Sequence, residues 1–200
     1  MYKQMSINII NRKYYLVGSL LTIFAMIWLV SYGAVSSSTV TVSATVASSV
    51  SCSTDNTSTA FGTLTTATIA TSTPNASTTI SCNTGLGCTL SINDANAGLA
   101  TSSPAYTIPT TRGALSAATE GYGIRATTTA TGSGGTLGVK SIYSVEGNNV
   151  GELNTTSTVL ASSTASISSR EVVVYHRAAI SGTTQAASYA DTITYSCAGN

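Results

Sequence analysis

The sequence predicts an all-β fold, an antiparallel β-sandwich preceded by an N-terminal hydrophobic helix. Charged residues make up only 8% of the chain, and Ser, Thr, Asn and Gly supply the polarity instead. Thr, Val and Ile are frequent, and these residues favour pleated, half-buried strands. Short strand-like runs alternate with turn residues, which is typical of sandwiches and barrels. The length of 200 residues suits one such domain and a targeting segment.

The N-terminal segment combines a basic start with an apolar run. Lys3, Arg12 and Lys13 precede the nearly unbroken apolar stretch Tyr14–Val30, and small residues follow it. This order is typical of a secretory signal peptide. The run also reaches the roughly 20 residues that span a bilayer, so residues 14–35 would contact a membrane if the segment stays uncleaved. We therefore assign 1–34 as a signal peptide or transmembrane anchor, and either assignment predicts a secreted or cell-surface protein.

The charge of the remaining chain argues against nucleic-acid binding. Without the three basic leader residues, five basic residues face seven acidic ones, a balance of about −2. Nucleic-acid binding needs a cationic surface. The basic residues are scattered along the chain: Arg112, Arg125, Lys140, Arg170 and Arg177.

Residues 35–51 form a predicted extended N-terminal strand with one apolar face. Val40, Val42, Ala44 and Val46 alternate with Ser or Thr, which places them on one side of a strand. The whole run 39–52 is long for one strand of a small sandwich. Either the strand bends near Ser48, or its first half is a donor strand that pairs with the sheet edge of another molecule.

The four cysteines, Cys52, Cys82, Cys88 and Cys197, indicate two disulfides in an exported protein. Each of them shares a strand face with apolar residues, which predicts sulfur atoms inside the sandwich. A zinc site is disfavoured because the spacing is not that of paired ligands and the chain has one histidine. The cysteine positions by themselves leave three pairings open.

The sandwich domain itself is assigned to residues 52–200. The segment 94–120 is irregular, and we interpret it as a long loop, with a binding loop as the alternative. The predicted strands, separated by Gly, Pro, Asn and Asp turns, are 39–52, 59–70, 76–82, 88–93, 121–130, 135–146, 155–168, 171–180 and 188–197.

Two stretches resemble a known family. Ser51-Cys52, Ala60-Phe61-Gly62-Thr63-Leu64, Ser77–Cys82 and Cys88–Ile92 resemble the opening of spore coat protein U-type domains, and Ala187–Tyr195 resembles their end. Those domains are similar to pilin subunits of the archaic chaperone–usher class. The middle of the chain, 95–170, carries no such motif.

The resemblance implies an immunoglobulin-like sandwich and a role as a pilin-like or coat-like surface subunit, joined to its neighbours by donor strands. It also implies a Cys52–Cys82 disulfide, which leaves Cys88–Cys197 as the second pair. The expected partners are further copies or other fibre components, bound through sheet edges. The alternative is a membrane-tethered monomeric sandwich that acts as an adhesin or recognition module.

No residue pattern nominates a catalytic, cofactor or metal site, so we expect a protein that is not an enzyme. His176 lies in a predicted strand, and the sequence has no Gly-x-Ser-x-Gly elbow to pair with it. The acidic residues are scattered, and no calcium loop is present. We therefore interpret His176 as an ordinary strand residue.

Overall fold

A computed structural model describes residues 14–21, 35–103 and 105–200. The chain divides into two compact units, 1–45 and 46–200. Residues 14–21 are helical and exposed, and among the described residues no helix is both long and apolar enough to cross a membrane. Most of the predicted signal peptide or anchor, 1–34, lies outside the described residues.

The predicted strand 39–52 is wrong over most of its length. Residues 35–49 have no regular secondary structure, and the strand begins at Val50. Val50 is where backbone pairing with Cys82 begins. Alternation of side chains is therefore not enough to form a strand, because the backbone also needs a neighbouring strand to bond with.

The fold is mostly β, with 46% of the described residues in strands. Its strands are β1 (Val50–Asp55), β2 (Ala70–Thr71), β3 (Ala76–Cys82), β4 (Cys88–Asp94), β5 (Gly98–Ser102), β6 (Ala105–Pro109), β7 (Gly113–Ala114), β8 (Gly121–Thr128), β9 (Ser133–Gly134), β10 (Leu137–Val139), β11 (Asn149–Val150), β12 (Thr158–Ser163), β13 (Ile167–Ala179) and β14 (Ile193–Gly199).

Two antiparallel sheets carry the domain. In the six-stranded sheet, β13 is central: β3 and β2 pair with one edge, β8 and β9 pair with the other, and β1 extends the sheet beyond β3. The four-stranded sheet has the order β10-β12-β4-β14. Two ribbons, β5–β6 and β7–β11, complete the structure.

The inner faces of both sheets form one hydrophobic core, which is the expected two-layer arrangement. β3 and β4 show the strict period of a strand that is buried on one face only, with every second residue buried from Ala76 to Cys82 and from Cys88 to Asp94. The central strand β13 contributes Val172 and Val174, which are fully buried. The prediction of an all-β, antiparallel fold is confirmed.

Several predicted strands agree closely with the structure and others do not. The predicted 76–82, 88–93 and 121–130 match β3, β4 and β8. The predicted strand 59–70 is wrong over most of its length, because only Ala60, in an isolated bridge with Thr73, and Ala70, the first residue of β2, pair there, and the remainder is turns and irregular backbone. The segment 94–120 is not one long loop, since it contains the β5–β6 hairpin and β7.

The disulfides join Cys52 to Cys197 and Cys82 to Cys88. The pairing implied by the family resemblance, Cys52–Cys82 with Cys88–Cys197, is therefore wrong. In the strand register Cys52 lies opposite Ile80, and Cys197 lies opposite Leu90, so each implied pair would be diagonal within one sheet. Both observed disulfides instead connect the two sheets.

The expectation that all four sulfur atoms lie inside is correct for only one disulfide. Cys82 and Cys88 are buried, with 6% and 0% exposure. Cys52 is exposed and Cys197 is half-buried. The reason is that β1 and β14 are edge strands, and within the described chain no further strand covers them.

Candidate functional site: a groove between two sheet edges

The edges of the two sheets meet at β1 and β14. Each of these strands has a single strand partner in the described chain, β3 for β1 and β4 for β14. The Cys52–Cys197 disulfide holds the two Cα atoms 6.1 Å apart. On the side of Asp55 and Ile193, no strand of the described chain is shared by the two sheets, so a gap remains between them.

A groove of about 1170 Å³ opens in this gap. One side is formed by the end of β1 and the following residues 54–64, and the other side by residues 184–195. The floor is formed by side chains from the core: Ala76, Leu99, Tyr122, His176 and Ile180. The lining is polar and apolar in about equal parts, with apolar side chains at the floor, and a concave site of this kind is typical of binding sites.

The two stretches that carry the family resemblance both line this groove. Phe61 and Leu64 come from the first stretch, and Tyr189 comes from the second. Each side is anchored by backbone hydrogen bonds, from Ala60 to Thr73 on one side and from Ala190 to Ala100 on the other. The sequence analysis identified these stretches as family motifs, but it did not assign them to a site or indicate that they face each other.

Large side chains at the groove are only half covered. Phe61, Tyr189, Ile193 and Tyr195 pack against the core, but all of them are half-buried rather than enclosed. Phe61 also meets Tyr122 edge to face, with ring centroids 6.2 Å apart. The hydrophobic core is thus open along this line, and an added apolar segment would complete its burial.

Buried polar groups lie at the same place and were not identified from the sequence. The Tyr122 hydroxyl is 3.0 Å from His176 Nδ1, and both residues are buried. Asp94 is buried too; its Oδ1 accepts hydrogen bonds from the backbone N–H groups of Asn96 and Ala97. Asp191 lies on the groove wall. The pairing of β8 with β13 brings Tyr122 and His176 together, and the pairing of β4 with β14 brings Asp94 close to the chain that precedes Ile193.

Burial controls the protonation of this cluster. Burial, and then the neighbouring Asp94 carboxylate, raises the pKa of Asp191 to about 7. Burial lowers the pKa of His176 to about 4, so the ring is neutral at neutral pH. Burial also raises the pKa of Tyr195. His176 is therefore more than an ordinary strand residue, because it is a buried member of a polar network under the groove.

Two polar atoms of the groove lining have no hydrogen-bond partner in the part of the chain that the structure describes. They are Thr59 Oγ1 and Tyr195 Oη, and both are shielded from solvent. Buried polar atoms normally have partners. An incoming backbone could supply both donors and acceptors to such atoms.

The predicted strand-exchange residues lie on an irregular, exposed stretch of the chain. Val40, Val42 and Val46 are 84%, 88% and 83% exposed, and Ala44 is exposed as well. Among the described residues, no group of three or more His, Cys, Asp and Glu side chains could hold a metal ion. The arrangement at the groove is suited to binding an extended apolar segment.

Comparisons with known proteins add no relative: no family model matches the chain, and no curated protein or solved structure shows significant similarity to it.

Proposed function

We propose that this protein is a pilin-like or coat-like structural subunit, not an enzyme, that assembles by β-strand addition. Residues 40–46 of one copy bind in the groove of the next copy. The observation that supports this most directly is the presence, in one chain, of an open groove with apolar side chains at its floor and of an exposed segment whose apolar and polar residues alternate. Backbone hydrogen bonds would provide affinity, and alternate side chains in the groove would provide register.

The segment is chemically suited to the groove. It carries no charge, since no acidic or basic residue occurs between Lys13 and Asp55. Extended, residues 40–46 reach about 20 Å at roughly 3.3 Å per residue. Each Val side chain that becomes buried contributes roughly 1.5–3 kcal/mol. Three valines on one face therefore provide enough free energy to offset part of the entropy lost on association.

The donor is a second copy because the chain's own segment is badly placed to turn back. Asn83 holds the residues just before β1: its Nδ2 donates to the Ala47 carbonyl at 2.9 Å, and its Oδ1 accepts from the Ser49 N–H at 2.7 Å. If residues 40–46 folded back to form a hairpin with β1, they would also have to pass between Cys52 and Cys197. Their Cα atoms are 6.1 Å apart, whereas an inserted strand needs about 9.6 Å, or two strand spacings.

We also propose that the domain has an immunoglobulin-like fold and that the protein is exported. A sandwich whose first and last strands lie at open edges, with a groove where one more strand would fit, is consistent with an incomplete immunoglobulin-like domain. Two disulfides with no free cysteine are consistent with export to an oxidising compartment. We therefore place the subunit outside the cell or on its surface.

Paired substitutions in the donor segment test the proposal. In the full chain, Val42→Asp puts a charge on the face that enters the groove, and Ser43→Asp puts the same charge on the opposite face. We expect Val42→Asp to weaken association at least 100-fold, because an unpaired charge is costly to bury. Ser43→Asp should assemble nearly as the parent chain does. Analytical ultracentrifugation and electron microscopy measure the assembly.

Equal assembly of both variants would contradict the proposed contact. A parent chain that stays monomeric at every concentration would also contradict it, and would favour the tethered adhesin or recognition module instead. A synthetic peptide of residues 36–48 provides the matching positive test. It should raise the melting temperature of a variant that lacks residues 35–47, whereas the same peptide with Asp at position 42 should not.

A further inference from the structure

A second cavity lies on the outer face of the six-stranded sheet. It has a volume of about 230 Å³ and is lined by Thr71, Arg125, Gly147, Tyr175 and Arg177. Tyr175 and Arg177 lie on the face of β13 opposite to the buried His176, so this cavity and the groove are on different sides of the sheet. The site does not depend on the proposed assembly.

Strand pairing brings the two arginines of this cavity together. Arg125 on β8 lies directly opposite Tyr175 on β13, and its guanidinium carbon is 4.9 Å from the centre of the Tyr175 ring. Arg177 follows two residues later on the same face and lies opposite Gly123. Two of the five cationic residues beyond position 35 thus line one small cavity.

The positive charge of this cavity is not neutralised. No carboxylate is among its lining residues, and the proximity of Arg125 adds to burial in lowering the pKa of Arg177. Arg177 Nη1 donates to the Gly147 carbonyl, and Nη2 donates to Asn148 Oδ1 at 3.1 Å. Its Nε is shielded from solvent and has no partner in the described chain.

We propose that this cavity binds a single oxyanion group, a carboxylate or a phosphate, between Arg125 and Arg177. Guanidinium groups bind both anions with two parallel hydrogen bonds. The anion would offset the repulsion between the two cations. The cavity is smaller than the 300–1,000 Å³ or so of sites for drug-sized ligands, which limits the ligand to one small acidic group. That group belongs to a small molecule or forms one unit of a polymer.

Titration of the full chain with sodium phosphate and with sodium glucuronate tests the proposal. Sodium chloride at matched ionic strength serves as the control for general salt effects. We expect a saturable rise in melting temperature with at least one of the two anions, and isothermal calorimetry to give one site per chain. A response to glucuronate identifies a carboxylate site, and a response to phosphate identifies a phosphate site.

Two variants localise the binding. Arg125→Gln should weaken it at least tenfold. It should leave the ligand-free melting temperature unchanged or slightly higher, because it removes a like-charge neighbour of Arg177. Arg112→Gln removes the same charge from a position outside the cavity and should bind as the parent chain does. No saturable binding of either anion, or equal loss of binding in both variants, would overturn the proposal.

Discussion

Replacing Cys52 and Cys197 together by alanine is expected to lower the free energy of unfolding by about 5 kcal/mol, the loop-closure value for a disulfide of this span. The bridged residues are separated by 145 positions, so this disulfide restricts nearly the whole unfolded domain. The Cys82–Cys88 disulfide closes a separation of only 6 residues. The corresponding contribution is about 2 kcal/mol from loop closure, to which the loss of two buried sulfur atoms adds.

The double variant also tests the connectivity directly. If Cys52 pairs with Cys197, the variant retains an intact Cys82–Cys88 disulfide, and alkylation without reduction labels no thiol. If the pairs were Cys52–Cys82 and Cys88–Cys197, the same variant would leave two free thiols. Urea denaturation measures the stability change, and intact mass after alkylation counts the thiols. Two labelled thiols per chain would show that the structure pairs the cysteines incorrectly.

The pH dependence of stability is expected to depend on two opposing groups at the groove. The pKa of His176 is lowered to about 4, so its contribution is present above its unfolded value near 6.5 and is lost as pH falls through 4. The pKa of Asp191 is raised to about 7. Its contribution is present below its unfolded value near 3.9 and is lost as pH rises through 7. Between these limits the two effects have opposite signs.

Removing one group should reveal the other. At 1.36 kcal/mol per pKa unit, the full His176 contribution is about 3 kcal/mol, and that of the half-buried Asp191 is about 2 kcal/mol after allowance for solvent screening. The parent chain should therefore show a nearly flat profile between pH 4.5 and 6.5. We expect stability of Asp191→Asn to rise by about 2 kcal/mol over this window, and stability of His176→Gln to fall over it.

Urea denaturation at three pH values across this window provides the measurement. Asp55→Asn, which removes an exposed carboxylate on β1, is the matched control and should follow the parent profile. The window lies above the acidic range in which Glu120 and Glu171, whose pKa values are lowered, lose their contributions. Parallel profiles for Asp191→Asn and the parent chain would rule out the assigned role of Asp191.

Prediction from the sequence succeeded where one strand face is buried along its whole length. β3 and β4 alternate strictly between buried and half-exposed residues, and this period is visible in the residues themselves. It failed at 39–52 and 59–70, which are rich in Thr and apolar residues. Those segments have strand-like composition, but in the described chain the first has no strand partner before Val50, and the second pairs only at Ala60 and Ala70.

In the groove, too, some residues could be identified from the sequence and others could not. The residues of both walls stand out in the sequence as Phe61-Gly62 and as Tyr189 to Tyr195. The buried cluster of Tyr122, His176 and Asp191 does not stand out, because its members are 54 and 15 positions apart along the chain. Contacts of this kind depend on strand order and register, which a local pattern does not contain.

The sequence by itself determined that this chain is rich in antiparallel strands, that its cysteines can form two disulfides, and that residues 40–46 have one apolar face. Each of these properties follows from side-chain chemistry and a period of two residues, which are local. Only the tertiary structure decided which cysteines meet, which strands lie at the edges, and where the core is left open. These properties depend on which distant strands pair and on how the two sheets pack, because strand order puts β1 and β14 at the sheet edges and sheet packing brings Cys52 near Cys197 beside the groove.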